Sequence, residues 1–72
     1  MESRVLIHGV ITDEDVMYEA EVFIQSDGYR YVANVITHRF SDFARCRVTD
    51  ELSKTIHDDI QRHLKMYDNV YN

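Results

Sequence analysis

The segment from Val16 to Ile24 constrains the fold more than any other part of the chain. Its apolar residues Val16, Tyr18, Ala20, Val22 and Ile24 recur at every second position, and Glu19 and Glu21 lie between them. Alternation with a period of two is typical of a β-strand with one buried face. Such a face needs a cover, so this segment predicts a sheet with another element packed on one side.

Three turn signals place the other strands in register with this segment: Asp13-Glu14, Asp27-Gly28 and Ser41-Asp42. Asp-Gly favours a type I′ turn, with positive φ at both central residues. A two-residue turn at each signal puts the apolar positions of all strands on one face, and a slip of one residue would invert them. The predicted pairs include Gly9 with Tyr18, Ile24 with Tyr31, Val22 with Ala33, Ala20 with Val35 and Thr37 with Cys46.

The pattern therefore predicts a four-stranded antiparallel β-meander of order 1-2-3-4, with strands at about 3–12, 16–25, 29–40 and 43–48. Gly9 inside the first strand leaves room for the Tyr18 ring, and a bulge at Gly9 is the alternative. The last segment predicts a helix over about 50–67, capped by Thr49 or Asp50. Its apolar stripe recurs at helical spacing and comprises Leu52, Ile56, Ile60, Leu64 and Tyr67. The fold class is α+β, with the helix packed on one sheet face.

The size and charge of the chain limit its function. Its 72 residues predict a single ββββα domain, 1–72, with a small core. A net charge of −5 argues against binding to duplex nucleic acid. One cysteine, no signal peptide and no membrane-length apolar run predict a cytoplasmic protein. Since no disulfide can form within the chain, self-association is the natural source of added stability.

No motif in the sequence predicts catalysis, a metal or a cofactor. The four histidines are dispersed over two strands and the helix, whereas zinc needs three or four converging ligands. Cys46 falls on the face predicted to be buried, where a thiol behaves as a small apolar group. Glu19 and Glu21 share a face but not a cleft, so general acid–base chemistry lacks a site. The chain is expected not to be an enzyme.

The second sheet face predicts a protein-binding surface, because it is more apolar than a face exposed only to water. It carries Leu6, Val10 and Met17 besides the candidate contact residues. Those candidates are the apolar anchors Phe23, Val32, Ile36, Phe40 and Phe43 and the charged residues Glu19, Glu21, Arg30, Arg45 and Arg47. Desolvated aromatic residues carry most interface energy, which favours a noncatalytic inhibitor or adaptor docking through this face or an edge strand.

Other partners fit parts of the same pattern. A homodimer through the same surface would bring acids against arginines. An acidic mimic of nucleic acid would use Asp13, Glu14, Asp15, Asp27, Asp58 and Asp59 in a basic groove of its target. A single-stranded RNA binder would stack bases on Phe23 beside Arg30, Arg45 and Arg47. In size and charge the chain is similar to the small acidic inhibitors that phages and mobile elements encode, an analogy that rests on no motif.

Overall fold

Three antiparallel strands and one helix form the described part of the chain. The computed structural model describes residues 2–71, and their side chains as far as residue 66. The strands are β1 (Ser3–Ile11), β2 (Val16–Ile24) and β3 (Arg30–Arg39), and the helix is α1 (Asp50–Tyr71). The strands pair in the order β1-β2-β3, so β2 is central. This confirms an α+β fold with an antiparallel sheet and a C-terminal helix.

The first hairpin has the register that the alternation predicts. β1 pairs with β2 without a shift from Ser3 opposite Ile24 to Ile11 opposite Val16. Gly9 lies opposite Tyr18 in this regular ladder, so the alternative of a bulge at Gly9 is wrong. The connection is a 3-10 turn, Thr12–Glu14, closed by Asp15 in the left-handed region at φ 54°. An aspartate tolerates this conformation better than most residues do.

The second hairpin differs from the predicted two-residue turn by one residue. Gln25 and Tyr29 close a longer loop, in which the Gln25 N–H donates to the Tyr29 carbonyl at 2.8 Å. Gly28 has a positive φ of 90°, but Asp27 does not, so the predicted type I′ turn is wrong. Near the loop Ile24 therefore pairs with Arg30, and Val22 pairs with Val32.

A β-bulge next to this hairpin restores the predicted register further along the strands. The pairing shifts between Glu21 and Val22, so that Ala33 is the extra residue of β3. From that point Ala20 pairs with Val35, as the sequence predicts. The bulge compensates for the extra residue in the loop. Only the side chains at the hairpin tip, residues 30–32, therefore point to the sheet face opposite to the predicted one.

The predicted fourth strand is present in the described residues only as a short pairing with β3. His38 and Arg45 form an isolated bridge. The Cys46 N–H donates to the Thr37 carbonyl at 3.3 Å, which matches the predicted partnership of these two residues. The Thr37 hydroxyl donates back to the Cys46 carbonyl at 3.0 Å. Between residues 2 and 71, no continuous ladder extends this bridge to residue 48.

The core lies between the sheet and the helix. The Thr49 hydroxyl accepts the Leu52 N–H at 3.1 Å, so Thr49 caps the helix, which continues to Tyr71 rather than 67. The buried apolar residues among those described come from β1, β2 and the helix stripe: Ile7, Val16, Tyr18, Ala20, Val22, Leu52, Ile56, Ile60 and Leu64. The predicted stripe residue Tyr67 has a side chain outside the described residues.

Among the described residues, no helix is long and apolar enough to cross a membrane.

Candidate docking face

The sheet face that points away from α1 has no cover within the described residues. We call it the open face, and by register it comprises Arg4, Leu6, His8, Val10, Met17, Glu19, Glu21, Phe23, Tyr31, Asn34, Ile36 and His38. The relative exposure of Leu6 and Val10 is 45% each, and that of Ile36 is 42%. Several of its large apolar side chains therefore remain in contact with water, as the sequence predicts for this face.

An apolar groove of about 390 Å³ runs across one half of the open face. It is lined by His8, Met17, Tyr18, Glu19, Ile36, His38 and Phe43. The two histidines come from opposite edge strands, which the sequence placed apart, and the structure brings both to this groove. Its concave shape and apolar lining suit an aromatic or aliphatic side chain of a partner.

Among the large apolar residues whose side chains are described, Phe43 is the most exposed, and it also has an unfavourable backbone conformation. Its relative exposure is 68%, and its φ is 61°. A left-handed conformation at a bulky residue without a special role is unusual and costs about 1–3 kcal/mol. Since strain of this kind concentrates at functional sites, Phe43 is the strongest single candidate for a contact residue.

A compact loop holds Phe43 in this conformation. The Phe43 N–H donates to the Arg39 carbonyl at 2.8 Å, and the Arg39 N–H donates to the Ala44 carbonyl at 2.8 Å. Asp42 accepts two hydrogen bonds from the Arg39 guanidinium, at 3.1 and 2.8 Å, and one from the Ala44 N–H at 3.1 Å. The Arg39 hydrogen bond is the main cause of the lowered pKa of Asp42. The loop therefore presents Phe43 without needing a partner to order it.

A second groove, of about 410 Å³, adjoins the first and is mainly polar. It is lined by Arg4, Leu6, Glu19, Glu21, Asn34, Val35, Ile36 and Arg45. Arg4 donates to Glu21, which also accepts from the Asn34 amide at 2.9 Å. These hydrogen bonds, first that of Arg4, lower the pKa of Glu21. The Nδ1 atom of His8 lies 3.6 Å from the Oε2 atom of Glu19. The central acids are thus paired within the chain, which reduces the repulsion that an approaching partner would meet.

The inverted hairpin tip moves two predicted contact residues off the open face. Val32 pairs with Val22 and packs against the core, because the longer loop shifts its side chain to the helix side. Arg30 pairs with Ile24 on that same side and is partly buried. The predicted placement of Val32 and Arg30 on the second face is therefore wrong. Tyr31, which the sequence placed under the helix, takes their place.

Tyr31 builds a small aromatic cluster at the hairpin end of the open face. Its ring stacks on Phe23 with centroids 5.4 Å apart, and Tyr29 lies 6.1 Å from it on the other side. Tyr31 is 38% exposed, whereas Phe23 is partly buried beneath it. Burial and a hydrogen bond to Glu2 raise the pKa of Tyr31. Phe23 is therefore present on the predicted face, but Tyr31 covers much of its ring.

The remaining predicted contact residues lie at the margin of the open face. Phe40 follows β3 and is 53% exposed. Arg45 lines the polar groove beside the bridge to His38. Arg47 is exposed in the extended segment before α1, and it lines neither groove. Cys46, between the two arginines, packs against the core as predicted.

On the covered face, one polar network fixes the helix to the sheet. The Tyr18 hydroxyl donates to Asp59 at 2.5 Å across the core, and the Arg62 guanidinium donates to the same carboxylate at 2.9 Å. Burial and the Asp59 hydrogen bond raise the pKa of Tyr18 above its ordinary range. Burial alone would raise the pKa of Asp59, but the hydrogen bonds from Tyr18 and Arg62 lower it overall.

Replacement of Asp59 by asparagine should remove one pH-dependent part of the stability. The folded pKa of Asp59 is lowered, so its contribution is present above the ordinary value of 3.8 and is lost as pH falls through the folded value. We expect Asp59→Asn to lower the free energy of unfolding by about 1–2 kcal/mol at pH 7 and by progressively less as pH falls below 3.8. Thermal unfolding of both proteins over a series of pH values from 7 downward tests this. A loss that does not change with pH would contradict a role of the charge.

The acids proposed for nucleic-acid mimicry are partly engaged in the fold. Asp59 bonds Tyr18, and Asp15 accepts the N–H and the hydroxyl of Ser41 at 3.1 and 2.6 Å. Asp27 accepts the Tyr29 N–H at 2.9 Å inside the second hairpin loop. In the part of the chain that the structure describes, no three histidines, cysteines or acids converge as metal ligands do. The geometry offers a docking surface rather than reactive groups.

Comparison with protein-family models, with curated proteins and with solved structures gives no match for this chain. The inference of function therefore depends on the residues and geometry described above.

Proposed function

We propose that this chain is a small, cytoplasmic, noncatalytic protein-binding module, an inhibitor or adaptor that docks another protein on its open face. The observation that carries this proposal is the exposed, strained Phe43 at the rim of the apolar groove. Its exposure of 68% combines with a φ of 61° that the hydrogen bonds of the loop over residues 39–44 maintain. Met17, Ile36, His8 and His38 line the same groove.

Three observations support a protein partner over the alternatives. The apolar groove and the adjoining paired charges resemble an interface with an apolar centre and a polar rim. An RNA partner is less favoured, because Arg4 is engaged by Glu21 and Arg30 lies on the helix side. Mimicry of nucleic acid is less favoured, because Asp15, Asp27 and Asp59 are used in hydrogen bonds of the fold.

The four-stranded order 1-2-3-4 is part of the proposal. Residues 44–46 already pair with β3 in the predicted register, and Val48 lies near Val35 beside the helix. We expect the segment 43–48, from Ala44 onward, to complete a fourth strand when a partner occupies the open face, because docking would hold Arg45 against the sheet.

Replacement of Phe43 by glycine separates binding from folding. Glycine adopts a positive φ without strain, so Phe43→Gly should leave the free energy of unfolding unchanged or raise it by about 1 kcal/mol. The same change removes the anchor side chain, and we expect at least about a tenfold loss of affinity. The measurement pairs denaturant unfolding with retention of a binding protein from a host lysate and titration of that purified protein.

The matched control is Gln61→Ala, at an exposed position of α1 on the opposite side of the molecule. It should bind as the unchanged protein does. If Phe43→Gly and Gln61→Ala retain the partner equally, the open face is not the docking surface. If Phe43→Gly unfolds, Phe43 serves the fold and the proposal loses its main support.

A further inference from the structure

The outer edge of β1 is the most regular unpaired strand edge in the described part of the chain. β1 lies at one side of the sheet and pairs with β2 over its full length without a shift. The opposite edge is less regular, because β3 carries a bulge at Ala33 and residues 44–46 cover one end of it. Bulges, prolines and charged side chains are the usual protections of an edge strand. β1 has no bulge and no proline, and its one arginine, Arg4, is paired with Glu21 of the same sheet.

The direction of the free backbone groups follows from the hydrogen bonds of β3. Arg39 donates its N–H outward to Ala44, so its partner Val16 directs its backbone groups away from β3 and toward β1. Val16 is opposite Ile11, which therefore points inward to β2. Since the direction alternates along a strand, the even-numbered residues Arg4, Leu6, His8 and Val10 direct their N–H and carbonyl groups outward.

We propose that two copies of this chain associate through their β1 edges, in antiparallel register about a two-fold axis at Ile7. The distribution of charge favours a second copy of this chain as the partner at the β1 edge. The chain carries a net charge of −5, but the segment Ser3–Ile11 contains no acid, and its basic side chains, Arg4 and His8, lie beside Glu21 and Glu19. Two such edges meet without the repulsion that the rest of the surface would produce.

The register follows from the same residues. An axis at Ile7 places Arg4 opposite Val10 and Leu6 opposite His8, so no like charges meet. An axis at Leu6 would oppose Arg4 to His8, and an axis at His8 would oppose the two histidines, both of which are less favourable. In the proposed register Leu6 and Val10, each 45% exposed, also gain neighbours across the interface.

The resulting six-stranded sheet has room for both helices. Six strands at about 4.8 Å span about 24 Å, and two helices of about 10 Å diameter fit side by side on that width. In each copy a gap of about 200 Å³ separates the helix from β3, lined in part by Val35, Ile56 and Ile60. The helices therefore lean toward β1, where each would help to cover the edge of the other core.

Amide exchange and mass measurement test this proposal. Light scattering should give twice the monomer mass of 8.6 kDa. In the unchanged protein the amides of Leu6 and His8 should exchange at least about tenfold more slowly at a concentration where the dimer forms than after dilution to the monomer, because only a second strand can accept them. Leu6→Pro removes an outward donor and should give a monomer, since proline is tolerated at an edge position whose N–H faces away from the sheet.

Phe43→Gly is the control that separates the two surfaces. It should remain a dimer, because Phe43 is not part of the β1 edge. The proposal would be overturned if the unchanged protein is a monomer, or if Leu6 and His8 exchange fast at every concentration. It would also be overturned if the protein stays a monomer and binds an unrelated extended peptide at the β1 edge. A dimer that Phe43→Gly abolishes but Leu6→Pro preserves would place self-association on the open face instead. Should Leu6→Pro fail to fold, the exchange pattern of the unchanged protein decides.

Discussion

Gly9→Val should strongly destabilise the protein. A Cβ atom at Gly9 would lie 2.5 Å from Cζ and from the hydroxyl of Tyr18, far inside van der Waals contact. The ring cannot move aside, because Tyr18 is fully buried and its hydroxyl is bonded to Asp59 of the helix. We expect a loss of about 3 kcal/mol or more, which is a large part of the stability of a domain of this size. Denaturant unfolding followed by circular dichroism measures it.

Two companion variants identify the cause of that loss. Gly28→Ala adds a Cβ that meets nothing within 4 Å, so it should cost only about 1–2 kcal/mol from the positive φ of 90°. Tyr18→Leu in the Gly9→Val background should recover part of the lost stability, because the shorter side chain leaves space for the valine. If the effects of Gly9→Val and Tyr18→Leu on the free energy of unfolding simply add, the Tyr18 ring and the valine side chain do not compete for space.

Ile60→Ala should destabilise the protein far more than Ile36→Ala. The two residues lie on opposite sides of the sheet, Ile60 in the helix stripe with 1% exposure and Ile36 on the open face with 42%. Truncation of a buried isoleucine costs about 2–5 kcal/mol, because it removes apolar contact and leaves a cavity. Truncation of the exposed one should cost less than about 1 kcal/mol. Denaturant midpoints of the two variants, measured side by side, give the comparison.

This pair tests the assignment on which the docking proposal depends. If Ile36→Ala costs as much as Ile60→Ala, the open face is part of a core, and its apolar groove is not a vacant docking surface. Affinity for a partner should show the reverse order. Ile36→Ala should bind more weakly, whereas the folded fraction of Ile60→Ala should bind as the unchanged protein does.

Much of this architecture is predictable from the alternation of Val16–Ile24 and the turn at Asp13-Glu14. These features give every pair between β1 and β2, because the apolar face leaves one acceptable register. The helix is predictable as well, because its apolar residues recur at helical spacing. The end of the helix at Tyr71 is not predictable, since the apolar period gives no stop signal there.

The tip of the second hairpin was not predictable from periodicity alone. Asp27-Gly28 fits a two-residue turn, but a three-residue loop with glycine at its left-handed position uses the same letters. A bulge then compensates for the longer loop, and no glycine marks it. The strain at Phe43 was equally hidden, because the bonds of Asp42 to Arg39 and Ala44 that hold it depend on the folded loop.

The paired irregularities in the second hairpin have a consequence for how this surface could change. A chain one residue shorter between Gln25 and Arg30 would lose the need for the bulge at Ala33. Its tip would rotate by half a turn, so that Val32 would come to the outside and Tyr31 would go beneath the helix, while pairs beyond Ala20 and Val35 stayed as they are. A single deletion could therefore exchange an aromatic for an aliphatic contact at constant scaffold, a route to altered partner preference that leaves the rest of the protein untouched.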